Sequence, residues 1–249
     1  MKKNKEMSAQ EHFLELKNRI IFCLLFFILS FATCYFFSKE IYKFLLNPLI
    51  EISQNNSNRK LIYTSPAEAF ITYLKTSLYC ALFFTTPIFL TQIYLFLSPA
   101  LYKNEKKNIL FLFFFSPFLF LFGSIFCYNF ILPLALQFFT SFENKGLISD
   151  NNFTIFLETK VSEYLGFVTN LLFGFGIAFQ LPLFLLFLIR FDFLSIDCLK
   201  QKRRYWVVAI FIASAILTPP DVISQISLAI LLVLLFEIVI LFAKNINKK

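Results

Sequence analysis

Apolar and polar residues alternate along this chain in long blocks, not residue by residue. Six apolar stretches, at 20–38, 70–97, 109–137, 161–189, 206–218 and 223–243, are separated by polar links at 39–69, 98–108, 138–160, 190–205 and 219–222. About 20 consecutive apolar residues cross a hydrocarbon core of roughly 30 Å. The pattern therefore predicts an all-α membrane protein with six transmembrane helices, forming a single polytopic domain over residues 1–249. The fifth stretch is short. Between Arg204 and Pro219 lie 14 residues. At ~1.5 Å per residue they reach about 21 Å, so the bilayer must thin there or flanking side chains must snorkel. Arg203, Arg204 and Trp206 are suited to anchor its inner end.

Local signals refine the blocks. Ser8 and Glu11 form an S-x-x-E capping box, so a helix is expected to start there and run unbroken into the first apolar stretch. That stretch is long for a signal-peptide core, and it is read as a retained helix. In the link 39–69, "KEIYKFLLNPL" puts Ile41, Phe44 and Leu45 on one helical face. A short helix lying on the membrane surface fits that pattern. Pro87, Pro117, Pro133 and Pro182 fall inside the second, third and fourth stretches. Each removes a backbone hydrogen bond and favours a kink, and packed neighbours must then satisfy the freed carbonyls. Four such positions in three helices point to a bundle with a concave face. Gly174 and Gly176 suit close helix packing.

Composition agrees with a membrane protein: 58% of the 249 residues are hydrophobic, against about 45–50% in soluble domains. The net charge of +8 does not indicate nucleic acid, because the basic residues flank apolar stretches. Their distribution sets orientation instead. The N-terminus, the links 98–108 and 190–205 and the C-terminal tail hold 16 of the 23 Lys and Arg. The positive-inside rule then puts both termini in the cytoplasm. The five cysteines, at 23, 34, 80, 127 and 198, have no metal-ligand spacing. They are expected to pack as small hydrophobes. With His12 the only histidine, no metal site or cofactor is expected, and no catalytic motif is present.

A few polar residues stand out against this background. Glu15 in "HFLELKNR" either pairs with Arg19 one turn on, or offers an anion at the membrane surface to a cationic ligand. Glu105 in "LYKNEKKN" sits among lysines. It either complements the start of the third helix or serves as a single acceptor in a positive setting. Gln180 lies near mid-depth of the fourth stretch, and Glu237 in the inner half of the sixth. An ionisable group within a span costs roughly 2.5–3.5 kcal/mol on insertion scales, so Glu237 is a functional candidate, with an interhelical hydrogen bond as the plainer reading. Asp221 and Gln225 follow Pro219-Pro220, where Asp221 suits a turn or helix cap.

Several stretches together resemble the TatC family, the multispanning receptors of the twin-arginine protein translocase. They are "EHFLELKNRI", "SPAEAF", "LSPALYKNEKK", "AFQLP" and "LTPPDVISQ", in that order, over residues 10 to 243 or so. The resemblance implies a cup-shaped six-helix bundle in a bacterial plasma membrane, or an equivalent organellar inner membrane. It implies binding of twin-arginine signal peptides on folded cargo. It also implies assembly with TatA-type and TatB-type single-span partners and self-assembly into a multi-copy complex, driven by the proton motive force. The family's two arginine-contacting glutamates match Glu15 and Glu105, with Lys17, Arg19, Leu101, Tyr102 and Lys103 in the same motifs. A guanidinium offers a planar fork of donors that a carboxylate accepts well. Asp221 and Gln225 match positions nearer to partner contact and transport.

Two positions depart from the family pattern. Lys17 stands where many relatives carry Arg, and Gln180 where many carry Glu. The first keeps charge without the bidentate fork, and the second argues against a proton-carrying role. A proton-coupled small-molecule transporter is the competing reading. Such folds are usually built from paired repeats with broken helices, and no convincing repeat is present.

Overall fold

The structure, a computed structural model, describes residues 9–53, 61–97, 106–142, 158–190, 193–219 and 221–246. Within them the chain is helical. In order come α1 (Ala9–Phe36), α2 (Ser38–Ser53), α3 (Glu68–Leu97) and α4 (Lys106–Phe126). A π turn (Cys127–Ile131) leads into α5 (Leu132–Ser141). Then follow α6 (Val161–Ala178), α7 (Leu181–Arg190), α8 (Ile196–Gln201), α9 (Arg203–Leu217) and α10 (Val222–Ile246).

Among the described residues, five helical stretches are long and apolar enough to cross a membrane: Gln10–Phe36, Glu68–Ile93, Phe115–Ser141, Val161–Ile189 and Val222–Leu241. They overlap five of the six expected stretches. The sixth is α9, whose 15 residues give about 22 Å of helix. The short fifth element expected from Arg204 and Pro219 is therefore present as a short helix. α1 also behaves as expected: it runs unbroken from Ala9 through the polar "HFLELKNR" into the apolar stretch. Ser8, the expected cap, lies outside the described residues.

The prolines divide into two groups. Pro87 and Pro117 lie inside unbroken helices. Pro133 and Pro182 change the helix. Before Pro133 the Leu132 N–H reaches five residues back, to the Cys127 carbonyl, producing the π turn. Pro182 splits the fourth stretch into α6 and α7 at Phe179-Gln180. It sits in the first turn of α7, where a missing N–H costs no helical bond.

α2 is present as the short helix expected in the link 39–69. Leu45 and Leu46 are buried in the core, whereas Phe44 is 55% exposed and stacks on Tyr128. Ile41 and Leu45 of the expected face pack inward, on a helix that lies against α3 and α5. The core sits around α6, whose Leu165, Val168, Leu171 and Phe175 are buried against Leu132, Leu228, Leu232 and Phe236. α1 stands at the edge, packed chiefly on α3, with Phe13, Leu25, Leu29 and Phe36 exposed. Lipid tails are as apolar as these side chains, so their exposure is what a bilayer-facing helix requires.

The ends of the bundle opposite the start of α1 are stitched together. Ile62 and Lys160 form a parallel bridge, with two backbone bonds of 3.3 Å. The buried Glu68 carboxylate accepts the Thr64 N–H at 2.5 Å, the Thr64 hydroxyl at 3.0 Å and the Ser162 hydroxyl at 2.6 Å. These bonds tie the start of α3 to the start of α6.

Candidate functional site

Glu15 and Arg19 lie one turn apart on α1, so their side chains meet on one face. Arg19 donates to Glu15 Oε1 from Nε at 3.0 Å and from Nη2 at 2.6 Å. Its third bond crosses to α3, where Nη1 donates to Gln92 Oε1 at 2.8 Å. Glu15 Oε2 is buried and has no hydrogen-bond partner among the described residues. The His12 Nδ1 lies 3.9 Å from it, and the His12 ring stacks on Phe96 with centroids 4.2 Å apart. A cavity of about 320 Å³ is bordered by Glu15, Asn18, Arg19, Phe22 and Gln92.

This geometry combines both readings of Glu15. One oxygen makes the i,i+4 ion pair, and the other, near His12 Nδ1, accepts no hydrogen bond among the described residues. A buried carboxylate oxygen without a donor is costly to maintain, and a cationic donor entering the cavity relieves that cost. Lys17 does not join the group. It is exposed, and two residues from Glu15 put it about 200° round the helix. Leu101, Tyr102, Lys103 and Glu105 lie outside the described residues, which end at Leu97 and resume at Lys106.

The other expected polar residues have partners of their own. Gln180, at the break between α6 and α7, makes a reciprocal pair with Ser116 of α4. The Ser116 hydroxyl donates to Gln180 Oε1 at 2.7 Å, and Gln180 Nε2 donates to the Ser116 carbonyl at 3.0 Å. Glu237 accepts from Arg203 Nη2 at 3.0 Å, joining α9 to α10. Asp221 caps α10, its Oδ2 accepting the Ser224 N–H at 2.7 Å, while Oδ1 is buried without a hydrogen-bond partner among the described residues. Gln225 is half-buried in the first turn of α10, and its N–H donates to the Asp221 carbonyl.

A larger cavity of about 600 Å³ opens between α2, α3, α4 and α6, lined mainly by apolar groups such as Phe83, Phe84, Leu172 and Phe173. The Ser124 and Thr169 hydroxyls on its wall donate to backbone carbonyls. Among the described residues, no three His, Cys, Asp or Glu side chains cluster as metal ligands.

Sequence reasoning missed Gln92 and Glu68. Gln92 is the one amide in the apolar stretch 70–97, which is a usable signal. Glu68 lies in the quoted "SPAEAF", but its partner Ser162 is 94 residues away.

Comparison with known proteins gives a consistent match. A family profile described as Sec-independent protein translocase protein (TatC) matches residues 11–230. The protein of that description from Rickettsia prowazekii is 48% identical over 230 residues, covering 92% of this chain and 90% of the relative. The one from Escherichia coli K12 is 33% identical, covering 94% and 86%. A crystal structure described as the twin-arginine translocase receptor TatC superposes with a TM-score of 0.77 at 34% identity, covering 93% of this chain and 99% of that one.

Proposed function

The chain belongs to the TatC family of Sec-independent protein translocase proteins, and from that premise we propose that it is the receptor subunit that binds twin-arginine signal peptides of folded cargo. It is a multi-pass inner-membrane protein. In this reading both termini and the link 98–108 face the cytoplasm, α9 serves as a sixth, short span, and the whole chain acts as one domain.

The observation that carries the proposal is the state of Glu15. Its Oε2 is buried and accepts no hydrogen bond among the described residues, and Glu15 borders a cavity of about 320 Å³ at the start of the bundle. A guanidinium entering that cavity gains a charge-assisted hydrogen bond, worth about 1.5–3 kcal/mol. Glu105 supplies the second carboxylate, so that each of two neighbouring arginines finds its own acceptor. The lysines around Glu105 disfavour cationic sequences of other geometry and hold the link near anionic head groups. Leu101, Tyr102 and Lys103, in the same motif as Glu105, contribute to signal-peptide binding.

The receptor assembles with TatA-type and TatB-type single-span proteins and with further copies of itself. The proton motive force drives export, and the protein works as a platform and not as an enzyme. Asp221 and Gln225 contribute to partner contact at the opposite end. The solute-transporter reading is less well served by the larger cavity, which is lined mainly by apolar groups and where the Ser124 and Thr169 hydroxyls donate to backbone carbonyls.

Site-specific photocrosslinking of a twin-arginine precursor to the protein in membrane vesicles tests the proposal. Glu15→Gln and Glu105→Gln are each expected to lower crosslinking by about tenfold or more, the value of one charge-assisted bond, with insertion unchanged. Undiminished crosslinking in both variants overturns the site.

A further inference from the structure

We propose that Gln92 and Arg19 make the site selective for guanidinium over ammonium, an inference that rests on the reading of Glu15 as the leader-binding carboxylate. Without ligand, Arg19 already occupies Glu15 Oε1 with two donors. It is kept there by its bond to Gln92 on the neighbouring helix α3. The carboxylate is thereby neutralised and oriented at once; among the described residues Oε2 accepts no hydrogen bond, with His12 Nδ1 3.9 Å away, and Glu15 borders the cavity.

Neutralisation changes what the site attracts. A lone carboxylate draws any cation, lysine included. Next to a fixed guanidinium, that attraction is nearly cancelled by repulsion from Arg19. Directional hydrogen bonding to Oε2 is what remains. An arginine side chain is weakly hydrated and presents several coplanar donors, so it gains from one well-placed acceptor. An ammonium is strongly hydrated and must give up water for the same single acceptor. The site discriminates by lowering the general pull on charge, which is selectivity obtained against the wrong partner.

Gln92 is suited to this task because its amide oxygen accepts from Arg19 without adding charge. A carboxylate at this position restores a net negative site. An apolar residue releases Arg19 to ordinary exposed-pair behaviour, in which the ion pair is weakly held. Gln92 is therefore a positioning residue that acts through Arg19.

The test uses the full-length protein in lipid nanodiscs and dye-labelled leader peptides carrying Arg-Arg or Lys-Lys. The readout is the ratio of the two dissociation constants. Gln92→Met removes the acceptor at similar size, and the ratio is expected to shrink by about fivefold, as loss of one hydrogen bond implies. Gln92→Glu keeps the bond to Arg19. It is expected to tighten both peptides at low salt and to return to the wild-type ratio at high salt, as screening removes the added charge. Simple loss of packing predicts neither the changed ratio nor the salt signature. An unchanged ratio in Gln92→Met, or no tightening in Gln92→Glu, overturns the inference while leaving Glu15 as the binding carboxylate. Wild-type binding that is insensitive to Glu15→Gln overturns the underlying reading instead.

Discussion

The Tyr128 hydroxyl donates to the backbone carbonyl of Phe44 at 2.8 Å, and Phe44 is the residue four before Pro48, so this carbonyl is the one that Pro48 leaves without its helical N–H. The next carbonyl, Leu45, accepts the Tyr164 hydroxyl at 2.9 Å. Tyr128 thus compensates for a proline inside α2, and Tyr164 adds a second bond to the same helix. They hold α2 against the bundle through its own backbone.

A double-mutant cycle follows from that relationship. Tyr128→Phe leaves the Phe44 carbonyl without a donor and should destabilise by about 0.5–1.5 kcal/mol. In a Pro48→Ala background, position 48 regains a backbone N–H that takes the donor's place, and the cost of Tyr128→Phe should fall well below that. Thermal unfolding of the purified protein in detergent measures all four corners. Equal costs in the two backgrounds would show that the hydroxyl does not serve the proline.

Gly174 and Gly166 should respond to alanine in opposite ways. A Cβ at Gly174 would lie 2.5 Å from the Leu217 carbonyl oxygen, at the end of α9. A Cβ at Gly166 meets nothing within 4 Å. Gly174→Ala should therefore push α9 away from α6 and cost about 1–3 kcal/mol. Gly166→Ala should be neutral, or stabilising by up to about 1 kcal/mol through helix propensity. The same unfolding measurement compares them.

Glu237 looks like a functional carboxylate when only its position in an apolar stretch is considered. Its bond to Arg203, with side chains 39% and 51% exposed, gives it a structural role at an accessible end of α9 and α10. Partly exposed pairs contribute little, so Glu237→Gln should change stability by less than about 1 kcal/mol. Crosslinking of the twin-arginine precursor should stay at the wild-type level. A large loss of crosslinking with normal stability would return Glu237 to the functional residues.

The parts of this fold that are legible in the sequence are those set by one-dimensional pattern. Long apolar blocks locate α1, α3, α4, α6 and α10, and the distance from Arg204 to Pro219 fixes the length of α9. The Glu15–Arg19 pair is legible because its partners are four residues apart on a helix. Gln92 joins the same group from 73 residues away, and no local rule connects it to Arg19. α2 is legible as a helix, but what covers its apolar face is not, for a similar reason. Its amphipathic pattern says that one face is apolar, but whether lipid or protein covers that face depends on α3, α5 and the two tyrosines. Pro182 marks a weak point, while Pro87, with the same missing N–H, leaves α3 continuous. Local chemistry does not separate the two outcomes.

Asp221 offers the sharpest separation between a structural and a functional role. Its Oδ2 caps α10 through the Ser224 N–H, which by itself explains an acidic residue after two prolines. Its Oδ1 is buried without a hydrogen-bond partner among the described residues, as is the Ser224 hydroxyl, and a cap alone leaves that oxygen unexplained. Asp221→Ala should cost about 0.5–2 kcal/mol, because the cap is lost. Asp221→Asn keeps an oxygen for the Ser224 N–H, so most of that stability should remain. Transport of a folded reporter by the two variants then divides the roles. If Asp221 only caps, Asp221→Asn exports normally. If Oδ1 meets a partner through its charge, Asp221→Asn exports poorly despite near-normal unfolding, and this second outcome is the one expected from the buried, unsatisfied oxygen.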